Sequence, residues 1–242
     1  METKEKVATE KQERKAKNKP ITFKVNKKGK HVSHVLNLFR CTLIPFYRLI
    51  RPFKVFGNKN VQDGPLLYVS NHYTAVDAAF PAVTTKEGIH FLAKKESKTM
   101  PVIGPCMVGL KSIFANRDGN DVRAIMDCLK CLKAGDKLAI YPEGTRNRNP
   151  DVEMLPFHHG ASLIAIKAQV KIVPLVIYKK PRNFRMTHIL VGEPFELTEY
   201  YGKKKLSEEE LTAADEKIRS RMLDLRREHS EYLAAKKNRK NK

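Results

Sequence analysis

The stretch LLYVSNHYTAVD, residues 66–77, decides the fold. It follows Asp63-Gly64-Pro65, a turn signal, so the apolar run 66–70 reads as a buried strand. The chain turns polar at Asn71 and His72, and a helix is expected over 75–83. A strand that opens through a polar turn into a helix is where α/β proteins place ligands, at the carboxyl edge of the sheet.

The same grammar recurs outward from this point. Strands are expected at 90–93, 137–141, 172–178 and 188–192. Val122, Ile125, Met126, Leu129 and Leu132 keep helical spacing, with Asn120 or Asp118 as N-cap and Gly135 as the stop. Residues 160–168 read as an apolar helix. Strands alternating with helices imply an α/β single domain with a largely parallel or mixed central sheet flanked by helices. After Ser207 the chain is charged and helical. Ser207 and Glu210 are spaced as a capping box, and Leu211, Ile218, Met222 and Leu225 form one apolar stripe.

The 242 residues include 41% hydrophobic and 30% charged side chains, enough for one sizeable core. The net charge of +21 and pI near 9.8 call for a polyanionic partner: nucleic acid, anionic lipid headgroups or an acidic carrier protein. No basic segment is interleaved with aromatic stacking platforms and no RNP-type strand is present, so no nucleic acid is expected. Residues 1–30 are lysine-rich and read as a basic disordered arm without the apolar core of a secretory signal. Cys41, Cys106, Cys128 and Cys131 are then expected as free thiols. The C-x-x-C of Cys128 and Cys131 lies in a helical pattern and reads as two small core residues.

Residues 31–56 read as an amphipathic membrane-docking segment. Val35, Leu36, Phe39, Leu43, Phe46, Leu49 and Ile50 recur at three- and four-residue intervals, with Lys30, Arg40, Arg48 and Arg51 around them. Pro45 is expected to kink or split this helix. No apolar run approaches the roughly 20 residues of a spanning helix. The expectation is a peripheral protein, on the cytoplasmic face of a membrane without a transmembrane span. A globular domain over 57–206 and a charged helix with basic tail over 207–242 complete the division.

Four polar blocks can carry chemistry. In the first, His72 and Asp77 are one helical turn apart, so the carboxylate can hold one imidazole nitrogen and leave the other to accept a proton. Alone, such a pair reads more often as a structural hydrogen bond. The second, FANRD at 114–118, offers Arg117 as a phosphate fork. The third, YPEGTRNRN at 141–149, offers Glu143, Thr145 and Arg146 around Gly144, which lets a ligand approach the backbone. The fourth, VPLVI at 173–177, carries Pro174 inside an apolar strand, a sign of an edge or bulge. Each of the middle two blocks reads equally as a polar surface turn.

The set and its order resemble the glycerolipid acyltransferase family, which includes the lysophosphatidic acid acyltransferases. The resemblance runs from about Val35 to Phe195 and includes FLAKKE at 91–96, Pro101 and Gly104. It implies that His72 and Asp77 are a catalytic dyad and that Arg117, Glu143, Gly144, Thr145 and Arg146 line the glycerol-phosphate site. It further implies transfer of an acyl chain from acyl-CoA or acyl carrier protein to the sn-2 hydroxyl of lysophosphatidic acid, with no cofactor and no metal. The partners implied are a lysophospholipid acceptor, the acyl donor and an anionic membrane surface. Thr74 stands where the family has Ser, Tyr141 where it has Phe, Asn147 where Ser or Thr follows the Arg, and His158-His159 where a Lys-containing pair is usual. Two other readings stand beside this one: a related acyltransferase acting on another lysophospholipid or a lyso-aminolipid, and a non-catalytic basic module.

Overall fold

The computed structural model describes residues 22–58, 63–101, 103–116 and 121–240. Two short strands, β1 (Lys24–Val25) and β2 (His31–Val32), pair as an antiparallel hairpin. The other seven, numbered along the chain, form one mixed sheet. Its order is β3 (Phe53–Gly57), β9 (Thr187–Val191), β8 (Lys171–Ile177), β4 (Leu66–Ser70), β7 (Lys137–Ile140), β5 (Ile89–Lys94) and β6 (Ile113–Ala115). Every neighbouring pair is parallel except β8 and β9. β3 and β9 therefore run against the other five. The start of β3 lies at the edge where β4, β7 and β8 end.

Successive side chains of a strand face opposite sides, and β4 feeds two cores in this way. Leu66 and Tyr68 join Val173, Leu175 and Ile177 on one face. That face is covered by α1 (His34–Cys41), α2 (Leu43–Ile50) and α3 (Ala79–Thr84), through Leu36, Ile44 and Phe80. Leu67 and Val69 join Ile172 and Val176 on the other. There α5 (Val122–Lys133), α6 (Gly160–Ala168) and α7 (Glu208–Lys240) supply Cys128, Leu132, Ile164, Ile218 and Met222. The short α4 (Ile103–Gly109) follows β5 on the first side.

The α/β expectation holds, and α6 has the bounds the apolar pattern gave. Ser207 and Glu210 form the capping box: Glu210 N donates to Ser207 Oγ at 3.2 Å and Ser207 N to Glu210 Oε2 at 2.9 Å. Burial pushes the Cys131 thiol up to about 12 and Cys128 well above its ordinary value, so both stay protonated and act as packing residues.

Three readings are corrected. The basic arm does not run to residue 30. Residues 1–21 lie outside the described residues, but Phe23 is buried and stacks on His90 at 4.3 Å, and Asp136 takes its N–H along with contacts from His31 and His90. The boundary at 56/57 falls within β3, so the amphipathic segment and the sheet are one folded unit. α5 is capped by Asp121, whose Oδ1 accepts from Ala124 N at 3.0 Å; Asn120 and Asp118 lie outside the described residues.

The expected split at Pro45 is present: Pro45 sits in the first turn of α2, and the break falls just before it at Thr42. A proline ring clashes with the carbonyl four residues before it, here that of Cys41, the last residue of α1. Pro174 lies in a central strand, between β9 and β4, and marks the expected bulge: pairing slips by one residue between Pro174–Gly192 and Ile172–Phe195. It faces Gly192, just past the end of β9, and its carbonyl accepts from Gly192 N at 2.9 Å. The missing N–H falls at that bulge, between the β9 ladder and the Ile172–Phe195 pair. A Cβ on Gly192 would stand 2.7 Å from Pro174 Cγ, so glycine there makes room for the ring.

Candidate active site

β4 ends at Ser70, and the chain leaves the sheet through Asn71 and His72. Asn71 is buried and uses its amide twice: Nδ2 donates to Ile177 O at 3.1 Å, and Oδ1 accepts from Ile177 N at 2.8 Å. The turn is thereby fastened to the end of β8. A 3-10 turn at Ala75–Ala78 follows, short of the regular helix expected over 75–83. It carries Asp77 back under His72.

Asp77 is fully buried, and its carboxylate is surrounded by donors. Oδ2 accepts from Tyr73 N and Thr74 N, each at 2.6 Å, and Oδ1 from Thr74 Oγ1 at 2.5 Å. His72 Nδ1 is 3.1 Å from Oδ2. An oxygen that already accepts two backbone N–H groups can only accept from the imidazole as well. Nδ1 therefore carries the proton, and Nε2 is left with a lone pair. Thr74, in the place of the family's Ser, supplies both a main-chain and a hydroxyl donor.

The third block, the loop after β7, holds His72 by its backbone. His72 N donates to Glu143 Oε1 at 2.8 Å, and Asn147 N donates to His72 O at 2.7 Å. The Tyr141 ring lies 4.6 Å from the imidazole, tilted by 35°. Glu143 is buried, and its second oxygen accepts from Leu155 N at 2.9 Å. Burial pushes its carboxyl above the usual range, against the pull of those two backbone donors. The expectation that Glu143 projects toward a ligand is thus corrected: its carboxylate is a strut between the His72 turn and the 147–157 loop. Asn147, which sequence reasoning noted only as a departure, is a second strut, its Nδ2 donating to Val152 O at 2.6 Å.

Gly144, Thr145 and Arg146 are exposed at the tip of the loop. Gly144 has φ +62°, and a Cβ there would meet His158 Cδ2 at 2.7 Å. Arg117, expected to share the phosphate with Arg146, lies outside the described residues. The structure thus brings His72, Asp77 and the 141–147 loop together at one edge of the sheet. Among the described residues, no group of three or more His, Cys, Asp or Glu is spaced to hold a metal ion.

The back of the 147–159 segment is gripped by α7. Arg219 Nη2 donates to Met154 O at 3.1 Å, Arg226 Nε pairs with Glu153 Oε1 at 2.9 Å, and His159 Nδ1 meets Asp215 Oδ2 at 2.7 Å. Tyr73 OH donates to Glu153 O at 3.3 Å, closing the ring of contacts from the His72 side. This grip had no signal in the sequence beyond an apolar stripe with charged neighbours.

A carboxylate-oriented imidazole thus stands at the sheet edge beside a glycine loop tipped by an arginine. The chain belongs to the acyltransferase family, whose model matches residues 52–178. It is 34% identical to 1-acyl-sn-glycerol-3-phosphate acyltransferase beta of Homo sapiens over 139 residues, 56% of this chain and 49% of that protein. It is 33% identical to the 1-acyl-sn-glycerol-3-phosphate acyltransferase of Helicobacter pylori over 125 residues, 50% of this chain and 52% of that protein. The chain spans about half the length of the curated relatives it matches. Its fold is that of the 1-acyl-sn-glycerophosphate acyltransferase PlsC of Thermotoga maritima, with a TM-score of 0.60 over 79% of this chain and 78% of that one, at 24% identity.

Proposed function

We propose that the protein transfers an acyl chain from a thioester, acyl-CoA or acyl carrier protein, to the sn-2 hydroxyl of lysophosphatidic acid, giving phosphatidic acid. The observation that carries this is the saturated Asp77 carboxylate, which fixes the Nδ1–H tautomer of His72. Nε2 takes the proton of the acceptor hydroxyl as that oxygen attacks the thioester carbonyl. Asp77 stabilises the imidazolium that forms. The tetrahedral intermediate then collapses, the C–S bond breaks, and the proton passes from the imidazolium to the leaving thiolate. Arg146, with Arg117, holds the acceptor phosphate by charge-assisted hydrogen bonds, and Gly144 and Thr145 border it. Glu143 acts through His72 as a positioning residue.

Both acceptor and product carry a long chain, so the enzyme works at a membrane surface. Among the described residues no helix is long and apolar enough to cross a membrane. α1 and α2 instead leave Leu38, Leu43, Phe46 and Leu49 exposed beside Arg48 and Arg51. This supports a peripheral placement, with the apolar side chains in the interface and the cations at the headgroups.

The test is acceptor-dependent release of thiol from acyl-CoA by the purified chain. Lysophosphatidic acid is expected to support it, and His72→Ala to abolish it with the thermal melt unchanged. Turnover by His72→Ala near the parental rate removes the base from its role; turnover with other lysophospholipids alone reassigns the acceptor.

A further inference from the structure

The loop between β8 and β9 reads KKPRNFRM at 179–186, with Lys179, Lys180, Arg182 and Arg185 and no acidic residue. At its tip Phe184 is 76% exposed and Met186 58% exposed. Phe184 lies in the left-handed region, at φ +56°, where a bulky L-residue is an outlier. The conformation is held from outside the loop: Phe184 N donates to Ile50 O at 2.7 Å, Thr187 N to Pro52 O at 2.8 Å, and Arg51 Nε to Asn183 Oδ1 at 2.8 Å. A strained aromatic is thus fixed in solvent by bonds to the end of α2, the end that carries exposed Phe46 and Leu49.

Topology places this tip next to the chemistry. β8 ends on the edge where β4 ends, and Ile177, its last residue, is the residue bonded twice by Asn71. β3 starts on that edge too, so the end of α2, the loop tip and His72 share one rim of the sheet.

We propose that the 178–186 loop is a second membrane-contact element: Phe184 and Met186 enter the interface of an anionic bilayer, and the four cations around them bind headgroup phosphates. An apolar tip ringed by cations fits an anionic lipid surface. Two points of contact, α2 and the loop, fix the tilt of the domain as one cannot, and set the His72 rim against the headgroups. The inference rests on the proposed membrane-surface reaction, and its test is separable from it.

The chain has no tryptophan, so Phe184→Trp introduces a sole reporter. Phosphatidylcholine vesicles with and without phosphatidylglycerol are the probe. Phe184→Trp emission is expected to shift blue with anionic vesicles and to be quenched by bromine-labelled acyl chains. Phe46→Trp reports the α2 contact in the same way. A shift at 46 with none at 184 overturns the loop contact and leaves the α2 contact standing; no shift at either position overturns both. Phe184→Ser with Met186→Ser is expected to weaken vesicle partitioning about tenfold, with turnover of a short-chain, water-soluble acceptor at the parental level. Parental partitioning by this double variant overturns the proposal. Absence of turnover by the parent with any lysophospholipid, alongside a shift at 184, removes the reaction and keeps the loop.

Discussion

Replacing Asp77 with Asn isolates the charge of the dyad from its geometry. The amide oxygen must stay at the Oδ2 position, because Tyr73 N and Thr74 N both donate there from 2.6 Å. An NH2 in that place would set donors against donors. The NH2 goes to the Oδ1 position, where the Thr74 hydroxyl can turn from donor to acceptor. Every hydrogen bond is kept, and His72 keeps its Nδ1–H tautomer. What is lost is a negative charge facing the imidazolium of the transition state. At a separation between charge centres of about 4 Å and an effective dielectric near 20, that is worth about 4 kcal/mol. The rate equivalent is about a thousandfold. Thiol release from acyl-CoA in lysophosphatidic acid micelles reads the rate, and the melt by circular dichroism reads the fold, which is expected within about 5 °C of the parent. A rate within tenfold of the parent, with the same melt, refutes the reasoning about charge. A chain unfolded at 25 °C refutes the reasoning about the amide.

Three further outcomes follow from the same geometry. Glu143→Gln turns an NH2 against the backbone N–H of His72 or Leu155, a buried loss of about 1–3 kcal/mol; kcat is expected to fall with the acceptor KM within twofold, whereas a raised KM at full kcat would make Glu143 a substrate contact. Gly57→Ala would set its Cβ 2.1 Å from Val191 O, at φ +86°; parting β3 from β9 is expected to cost about 3 kcal/mol or more in denaturant unfolding, and an unmoved midpoint contradicts it. His188 Nδ1 and His229 Nε2 meet at 2.8 Å where α7 crosses β9. Burial lowers both values from 6.5, with Lys54, Lys179 and Lys236 acting the same way on His188 and His188 on His229. The folded chain then resists protonation that the unfolded chain accepts. The stability involved is present above pH 6.5 and lost as pH falls through the depressed values. The melting temperature is expected to drop from pH 6.5 to 5, and less steeply in His229→Gln; equal slopes in the two proteins rule the pair out as the cause.

Periodicity made the central strands and α6 legible, because burial on both faces leaves long apolar runs that few other structures tolerate. The His72–Asp77 pair was legible as a spacing. Edge strands were not: Phe53–Gly57 is short, half exposed and follows a proline, so neither alternation nor length separates it from a loop. The direction of Glu143 was not legible either. A carboxylate in a glycine turn can face out to a cation or in to backbone N–H groups, and only the position of Leu155, twelve residues on, decides between them. Asn147 was hidden for the same reason, its partners being main-chain atoms of His72 and Val152 that residue type does not reveal. Pro174 was legible as a bulge, because a residue without an N–H fits where pairing slips by one residue, between Pro174–Gly192 and Ile172–Phe195.

The match to the family model ends at residue 178, yet Asp215, Arg219 and Arg226 brace the loop behind Glu143 from far beyond that limit. A fragment trimmed to residues 52–178 would keep His72 and Asp77 but lose these braces, together with α1, α2 and β9. Its silence in an assay would reflect a broken sheet as much as the missing buttress, and would say nothing of His72. Changes confined to Asp215, Arg219 and Arg226, conversely, would slacken the 147–159 segment while His72 and Asp77 keep their own bonds.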